Sequence, residues 1–348
     1  MRFLLLFVIV LFAINVYPQN DLQSTLQSLS KDAASSYVAP AISAFGADLN
    51  SGWVHRVPTA TIYGIDVEIG VVAMGTFFSD ANKTFSSTGT FQFSRAEAQL
   101  LVQGIGNQQT RDDLVNQIIQ KTFNVGISGP TIAGSKNDTV KIAFHGTTLT
   151  SNGQTYNIAS KNVITPVTGL LDQISALPIG APQLTIGTFY GTSISFRYVP
   201  AIKLSDKLGD FSYFGIGFQH NPAVWLPFPL PLEVSVGFFT QTMKIGTIFS
   251  SSATTFGIFG SKTFGPSALN VTPYMGLSYE SSSIDVAYDF VVDTPTGQTN
   301  DHITFNLTGE NSVRLIVGAS FKLAIINLNV DYNISKYNSV SAGFGFIF

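Results

Sequence analysis

The sequence predicts an all-β fold, a transmembrane antiparallel β-barrel, and three observations support this. Charged residues make up only 11% of the chain while hydrophobic residues make up 45%, whereas soluble domains carry about 25% charged residues. Many segments alternate apolar residues with glycine or polar residues. The chain also ends in an alternating segment that finishes on Phe348. We expect about 14 strands, with about 12 as the alternative, because bacterial barrels have even strand numbers. A short N-terminal helical segment and helical loop insertions complete the predicted fold.

The composition also limits the classes of partner. The net charge is −3 and no basic run occurs, which argues against nucleic-acid binding. The chain has no cysteine, so it has no disulfides and no thiolate metal ligands. Its 29 phenylalanines and 12 tyrosines suit the aromatic girdles that flank the apolar belt of a membrane barrel.

The N-terminus predicts export. Arg2 is followed by an apolar run at residues 3–14, which fits a signal peptide and is shorter than the ~20 residues that a membrane-spanning helix needs. The alternative is a buried core helix. We expect residues 1–19 to be a cleaved signal peptide, with cleavage somewhere in residues 15–20, residues 20–58 to be a helical plug or cap, and residues 59–348 to be an outer-membrane barrel.

The segment after the signal peptide predicts a short helix. Residues 21–37 carry three leucines at helical spacing, which form one apolar stripe. We expect Pro40 to end this helix, because proline lacks the N–H that a helix interior needs, and residues 46–52 to form a loop. The helix could plug the barrel lumen or cap its periplasmic end.

Alternation with a period of two marks the predicted strands. In residues 63–71 every odd position is apolar, and the even positions are glycine or acidic. A soluble β-sandwich also alternates, but several segments could run for about ten residues, which is nearer the ~9–11 of a membrane strand than the usual 5–6. The other predicted strands lie near residues 85–93, 139–147, 184–199, 211–220, 232–238, 254–264, 271–280, 284–292, 303–307, 312–322 and 327–333.

The last strand resembles the C-terminal signal that the barrel-assembly machinery recognises in outer-membrane proteins. Apolar residues occupy every second position and the chain closes on an aromatic residue. The alternative is an ordinary strand that ends in phenylalanine. The residues of this predicted assembly signal are Val340, Ala342, Phe344, Phe346 and Phe348.

Two insertions predict helical loops with apolar stripes. Residues 94–121 read as two short helices, the first with the capping-box pattern of Ser94 and Glu97, and residues 166–177 read as another helix. The stripes could pack on each other or form a groove that captures a hydrophobic ligand. The capture candidates are Leu114, Ile118, Leu170, Leu171, Ile174 and Leu177.

The segment at residues 220–232 contains four prolines and cannot be a central strand. Its Trp225 and Phe228 predict a turn at the membrane interface, where amphipathic aromatic residues concentrate.

Charged residues on predicted strands are expected to face the lumen, since an outward arginine at the midplane costs ~2–4 kcal/mol. Two acids on one strand face, about 7 Å apart, could form a catalytic carboxylate pair, but polar lumen lining is the preferred interpretation and no enzyme activity is predicted. The four histidines are scattered, so no metal site and no cofactor is predicted. The lumen-facing candidates are Asp66, Glu68, Arg197, Arg314, Lys322 and Asp331.

Two resemblances bear on function. The layout resembles the long-chain fatty-acid transporter family (FadL-type), which implies a barrel with an N-terminal hatch and helical loops that capture hydrophobic molecules. The chain is more closely similar to an uncharacterised family of predicted outer-membrane proteins of Bacteroidota and Ignavibacteria type, which implies location and fold but no activity. The segments that carry this second resemblance are residues 37–53, 129–136, 182–187, 197–200 and 217–225.

The resulting hypothesis is an outer-membrane barrel that acts as a passive channel or transporter for small hydrophobic molecules. One alternative is a non-transporting barrel with a structural or surface-interaction role, and a remote alternative is an outer-membrane enzyme. The expected partners are outer-membrane lipid, the barrel-assembly machinery and a small hydrophobic ligand, with no nucleic acid. The sequence leaves the oligomeric state and the openness of the lumen undecided.

Overall fold

The computed structural model describes residues 31–205, 209–247, 249–294 and 297–348. The predicted signal peptide and the first part of the predicted N-terminal helix lie outside the described residues.

The described chain has three α-helices, two short 3-10 helices (Asp80–Asn82 and Pro222–Trp225) and seventeen strands. The α-helices are α1 (Lys31–Leu49), α2 (Arg95–Leu101) and α3 (Gln108–Ile119). The strands are β1 (Tyr63–Phe77), β2 (Thr84–Gln92), β3 (Thr122–Pro130), β4 (Lys141–Phe144), β5 (Thr147–Ser151), β6 (Gln154–Ile158), β7 (Lys161–Ile164), β8 (Ala176–Phe189), β9 (Thr192–Ser205), β10 (Gly209–His220), β11 (Glu233–Ile245), β12 (Phe249–Ser261), β13 (Leu269–Thr294), β14 (Gly297–Thr308), β15 (Val313–Leu323), β16 (Ile326–Ile334) and β17 (Ser339–Ile347).

Ten strands close into an antiparallel barrel in the order β1, β8, β9, β10, β11, β12, β13, β15, β16 and β17, and β17 pairs back with β1. The barrel prediction is therefore confirmed, whereas the strand number of about 14 is wrong. The predicted strands at residues 85–93 and 139–147 lie in a separate sheet. The predicted strand at residues 303–307 belongs to β14, which pairs with the C-terminal part of β13, from Ser283 to Thr294. A period of two identifies strands but does not tell which sheet they join.

Two strand boundaries also differ from the prediction. Residues 184–199 form a hairpin and not one strand, because Tyr190 (φ 47°) and Gly191 (φ 64°) both have positive φ, the requirement of a two-residue type I′ turn. In contrast, the two strands predicted at residues 271–280 and 284–292 are parts of the single strand β13.

The connection between β1 and β8 contains a small α/β insertion, here called the insertion subdomain (residues 84–164). Its four-stranded sheet has the order β2, β3, β4, β7, and β5 pairs with β6. The predicted pair of short helices is present as α2 and α3. At the start of α2 the Ser94 hydroxyl accepts from the Glu97 N–H, while Glu97 Oε2 accepts from the Ser94 N–H at 2.8 Å, which is the predicted capping box.

The helix predicted at residues 166–177 is absent. Residues 165–175 are irregular and Leu177 lies in β8. The backbone N–H groups of Leu170 and Leu171 both donate to the carbonyl of Ile132. These hydrogen bonds to another loop replace the bonds that a helix would make within itself.

The prediction that a helix ends before Pro40 is wrong, because α1 continues through Pro40 to Leu49. Proline removes one hydrogen bond from the helix interior. The surrounding packing compensates, since Tyr37 and Ile42 on either side of the proline are buried in an apolar cluster. No described helix is long and apolar enough to cross a membrane.

The two ends of the barrel differ. At one, the short-turn end, β8–β9 and β15–β16 are joined by two residues each, while β10–β11 and β12–β13 have longer connections. The backbone of Phe348 pairs at this end with Val67 near the start of β1. At the other, the insertion end, β1 leads into the insertion subdomain and the β13–β14 hairpin extends beyond the barrel.

The outer surface of the barrel is apolar on every side. Exposed large apolar side chains occur on each of the ten barrel strands. On three neighbouring strands the band ends at one level, because Phe238, Phe256 and Tyr279 are aligned in register and the next outward positions are Thr240, Thr254 and Ser281.

Candidate functional site

The barrel lumen is filled by the chain's own N-terminal segment. The end of α1 and the residues after it, here called the plug (residues 47–58), run antiparallel to β1. Asp48 accepts a hydrogen bond from Thr76 at 2.6 Å near the insertion end of β1. Further on, His55 Nε2 lies 2.7 Å from Glu68 Oε2, nearer the short-turn end. The N-terminal segment therefore passes through the barrel before it turns into β1.

Apolar side chains from most of the barrel wall surround the plug. Leu49 is buried among inward residues of six strands, β1 and β8 to β12. Below it, Trp53, Val54 and Val57 pack against inward residues of β11, β12, β13 and β15. The residues that enclose Leu49 are Val72, Met74, Ile179, Ala181, Val199, Phe211, Tyr213, Met243 and Ala253.

Arg314, a predicted lumen residue on β15, is completely buried and joins the plug to β13. Its Nη2 lies 2.8 Å from Glu280 Oε2. The same Nη2 donates to the carbonyl of Ala47 at 2.7 Å, and Nη1 donates to the hydroxyl of Ser51 at 2.6 Å. A buried charge is tolerated when it is paired and hydrogen-bonded. Here Glu280 supplies the opposite charge, and the plug supplies two hydrogen-bond acceptors, the Ala47 carbonyl and the Ser51 hydroxyl.

Arg197, the predicted lumen residue on β9, is also completely buried against the plug. It donates to the carbonyl of Ser51 at 3.0 Å and to Gln183 Oε1 at 2.9 Å. Its guanidinium lies 3.9 Å from the centroid of the Trp53 ring, within the range of a cation–π interaction. Ser51 is thus held from two sides of the barrel.

The Trp53 ring is fixed in both position and orientation. Its indole N–H donates to the carbonyl of Leu49 and to Gln241 Oε1, both at 3.1 Å. Gln241 Nε2 donates to Asn50 Oδ1 at 3.2 Å. The ring stacks on Phe239 with centroids 5.2 Å apart.

Asp66 and Glu68, proposed above as lumen lining or a carboxylate pair, are both paired with the plug. Arg56 donates two hydrogen bonds to Asp66, at 2.7 and 2.9 Å. Glu68 contacts His55 and also accepts from Asn327 at 2.8 Å. A fork of two parallel bonds to a carboxylate fixes geometry as well as charge, so this arrangement attaches the plug to β1.

Asp331, another predicted lumen residue, lines a small cavity together with the plug residues Asn50, Gly52 and Trp53. Asp331 is buried and accepts from Tyr274 at 3.0 Å, from Ser341 at 2.6 Å and from Asn333 at 2.7 Å. Lys322 is half-buried near the short-turn end of β15, on the inward register of Arg314.

The predicted ligand-capture residues do not form an open groove. Leu114 and Ile118 are fully buried in the apolar core of the insertion subdomain, and Leu177 is buried at the start of β8. Leu170 and Leu171 pack on the same core and are half-buried, as is Ile174.

The predicted assembly residues lie on the outer face of β17. Ala342, Phe344 and Phe348 are exposed, whereas Val340 and Phe346 are half-buried.

The cavities that the described residues line inside the lumen are small. Two cavities beside His55 have a volume of about 20 Å³ each, room for about one water molecule. One is lined by plug residues and by Asp66, Thr185 and Gln219, so its walls are largely polar. Among residues 31–205, 209–247, 249–294 and 297–348 no group of three His, Cys, Asp or Glu side chains could hold a metal ion.

Sequence reasoning missed the plug's own contribution. Ser51, Trp53, His55 and Arg56 supply the contacts to the wall, yet all four precede the first predicted strand. One signal was available: a histidine and an arginine stand directly before a strand that carries two acids on its inward face. Glu280 lies on the inward register of β13 and was also missed.

Several solved structures that resemble this chain are outer-membrane proteins. One is a loop-deletion mutant of OmpT from Vibrio cholerae, with 9% identity and a TM-score of 0.25. The alignment covers 83% of this chain and 100% of the OmpT chain. The outer-membrane protease OmpT from Escherichia coli has 10% identity and a TM-score of 0.25, with 82% and 95% covered. The translocator domain of the autotransporter NalP from Neisseria meningitidis has 11% identity and a TM-score of 0.23, with 93% and 99% covered. TM-scores this low establish no shared function.

A search of curated proteins finds no match. A family model matches the chain over residues 1–348. The chain therefore belongs to the family of unknown function DUF6588.

Proposed function

We propose that this protein is an outer-membrane barrel whose lumen is closed by its own plug and whose insertion subdomain is presented at the cell surface. Among the alternatives from the sequence, this is the non-transporting barrel with a surface-interaction role. The observation that carries the proposal is the pair of buried arginines, Arg197 and Arg314, which join the plug to opposite parts of the wall.

The apolar band supports the membrane location. On β13 the outward positions from Leu269 to Tyr279 are apolar, and polar residues follow. At ~3.3 Å per residue and a strand tilt of ~40°, this stretch gives a band height of roughly 25 Å, the value for outer-membrane barrels. The fully closed hydrogen-bonded wall leaves no strand edge in lipid.

The difference between the ends supports the orientation. Outer-membrane barrels have short periplasmic turns and longer extracellular loops. Applied here, this rule puts the short-turn end in the periplasm, together with Phe348, and the insertion subdomain outside. It also puts Lys31, at the start of α1, on the outer side.

The channel hypothesis requires a path through the lumen. In the closed arrangement a permeating molecule would have to displace Trp53 and separate Arg314 from Ser51. Arg314 would then lose its two hydrogen bonds to the plug, and a hydrogen bond to a charged group contributes about 1.5–3 kcal/mol. Thermal displacement of the plug is therefore expected to be rare, and uptake of hydrophobic molecules is not part of the proposal.

The surface role is supported by the rigidity of the presented region. α1, the insertion subdomain and the base of the β13–β14 hairpin share one apolar cluster, which includes Ile42, Phe93, Leu114, Ile284 and Phe305. Tyr37 strengthens the junction by donating to the carbonyl of Thr168 at 2.8 Å. Such a body can present a surface of defined shape, and we propose no catalytic role for it.

Two measurements test the proposal. An epitope inserted at the β5–β6 turn, between Asn152 and Gly153, should be labelled on intact cells, because a Cβ on Gly153 would meet no atom within 4 Å. The same epitope after Ala324, in the short turn at the other end, should be labelled only after permeabilisation. The reverse pattern would refute the orientation.

Conductance tests the closed lumen separately. The purified protein in a planar bilayer should show no steady ion current, because the cavities hold single water molecules. A stable open-pore current from the unmodified protein would refute the plugged state and restore the channel hypothesis.

A further inference from the structure

The connection between β10 and β11 exposes an uninterrupted apolar segment, here called the apolar loop (residues 225–232, WLPFPLPL). It has no polar side chain except the indole N–H of Trp225, and every residue in it is exposed. Trp225 is 66% exposed and Phe228 is 60% exposed. Exposed apolar surface of this kind marks a contact with a partner or a membrane.

The apolar loop is held firmly at its base. Asn221 is completely buried, and its N–H donates to the carbonyl of Gly191 at 2.7 Å while its Nδ2 donates to the carbonyl of Pro58 at 2.8 Å. The Trp225 ring stacks on Tyr190 with centroids 5.7 Å apart. The loop is thus presented at a fixed position at the short-turn end, beside the exit of the plug.

The backbone of the loop suits an apolar environment. Pro227, Pro229 and Pro231 occupy every second position, and proline has no N–H to leave unpaired. The N–H of Leu226 already donates to the carbonyl of Ala223 at 3.0 Å. An irregular chain normally loses several kcal/mol for each backbone group that leaves water unpaired. Over residues 227–232 the alternating prolines halve the number of N–H donors at risk.

The surroundings identify lipid as the occupant. Exposed aromatic or large aliphatic residues occur at the same end on strands and turns all around the barrel, and not on one side only. A protein partner would cover one side, whereas lipid contacts the whole perimeter. The residues of this ring outside the loop are Tyr63, Phe189, Phe264, Leu323, Ile325 and Phe348. The ring is continuous with the apolar band through Val236 on β11 and Phe218 on β10.

We propose that the apolar loop is a lipid anchor that inserts into the interfacial region of the leaflet at the short-turn end. The partner is a phospholipid monolayer, contacted by Trp225, Leu226, Phe228, Leu230 and Leu232. This inference rests on the membrane location proposed above. It goes beyond the interfacial turn predicted from the sequence, because it makes the loop a fixed apolar wedge outside the barrel wall.

Tryptophan fluorescence tests the anchor directly, because the chain has only two tryptophans. The full-length protein is refolded into phosphatidylethanolamine–phosphatidylglycerol vesicles whose acyl chains carry bromine near the headgroup, a short-range quencher. Trp53 lies inside the barrel, so W225F provides the background signal. We expect brominated lipid to lower the Trp225 emission about twofold, as an indole at the interface would show, and aqueous iodide to quench it weakly.

Two results would overturn the anchor. Strong quenching by iodide without quenching by bromine would mean that the loop lies in water. Protection from both quenchers would mean that a protein surface, such as a second copy of the chain, covers it. Vesicle flotation and heat-modifiable gel migration of the same sample report membrane insertion itself, so a failure of the proposed location is distinguishable from a failure of the anchor.

A matched pair of variants gives a second readout that does not depend on Trp225. In the variant F228S/L230S the apolar loop should insert less deeply into lipid. Protease should therefore cut the loop more readily when the refolded barrel is in vesicles. The control L100S/I164S removes two exposed apolar residues from the insertion subdomain and should change neither. Equal protease susceptibility of the loop in F228S/L230S and in the parent would contradict the proposal.

Discussion

The two halves of the N-terminal segment are held in opposite ways. The first half of α1 is buried in an apolar cluster, where Tyr37, Val38 and Ile42 pack on the insertion subdomain and β13. The plug that follows combines an apolar lining with buried charges, in which Arg314 and Arg197 bind backbone carbonyls and Ser51. One helix thus links a cluster without charges to a lumen that depends on them.

The difference shows what each kind of contact contributes. Apolar burial is proportional to area and has little directionality, so it fixes the subdomain on the barrel but tolerates small shifts. Paired charges require defined geometry, so they fix the plug in one register along the lumen. Breaking each kind of contact should therefore have different consequences.

The largest effect is expected from R314A. The substitution leaves Glu280 buried without its cation and removes two hydrogen bonds to the plug, which should cost about 3–5 kcal/mol of unfolding free energy. Urea unfolding of the refolded protein in lipid vesicles would measure the loss. The control is K336A, which breaks the exposed ion pair with Glu310 and should cost less than about 1 kcal/mol.

A double variant sharpens this prediction. In R314M/E280M both charges are replaced by apolar side chains of similar length, so no uncompensated charge remains, and the loss should be smaller than in R314A. Both variants lose the two hydrogen bonds from Arg314 to the plug, so both should admit ion current, and the current should be larger in R314A because alanine also leaves space beside the plug. Equal stability of R314A and the parent protein would show that the buried pair does not hold the plug.

The second effect is a loss confined to the apolar region. L114A removes a fully buried side chain from the core of the insertion subdomain and should cost about 2–5 kcal/mol. We expect the subdomain to become sensitive to protease while the barrel keeps its heat-modifiable migration, since Leu114 belongs to the apolar cluster of the subdomain and to neither cluster around the plug. The control L100A truncates an exposed leucine of α2. Loss of the barrel along with the subdomain would show that the two are one cooperative unit.

The outer face and the inner charges show how far the sequence could predict this fold. Alternation identified β1, β15, β16 and β17, because lipid and lumen impose opposite polarity on successive residues. The same rule placed Arg197 and Arg314 on the inward face, where the structure has them buried. These inferences are local, since each strand carries the whole signal within its own residues.

A plug or cap at residues 20–58 was predicted, but the strand number and the residues that fix the plug could not be predicted in this way. Strands β2 and β4 alternate as barrel strands do, but the core that they cover belongs to the insertion subdomain. The path of α1 through Pro40 depends on packing against distant residues such as Ile284. Ser51 contacts Arg197 and Arg314 across 146 and 263 positions, and such contacts leave no mark in local periodicity. His55 lies only 13 positions before Glu68, but it stands outside any alternating segment, so its contact with the wall was not recognised either.

The smallest effect tests whether local helix signals matter in the apolar region. S94A removes the hydroxyl that accepts from the Glu97 N–H, and loss of an N-cap costs about 1 kcal/mol. The sensitivity of the insertion subdomain to protease should rise modestly. The contact of Arg314 with the plug should be unchanged, because α2 lies outside the lumen. The control S86A alters an exposed serine on β2 and should have no effect, and E97Q should stay close to the parent because glutamine can still accept from the Ser94 N–H. If S94A were as stable as the parent, packing of Ala98 and its neighbours would alone determine α2, and the capping box would be a consequence of the fold and not one of its causes.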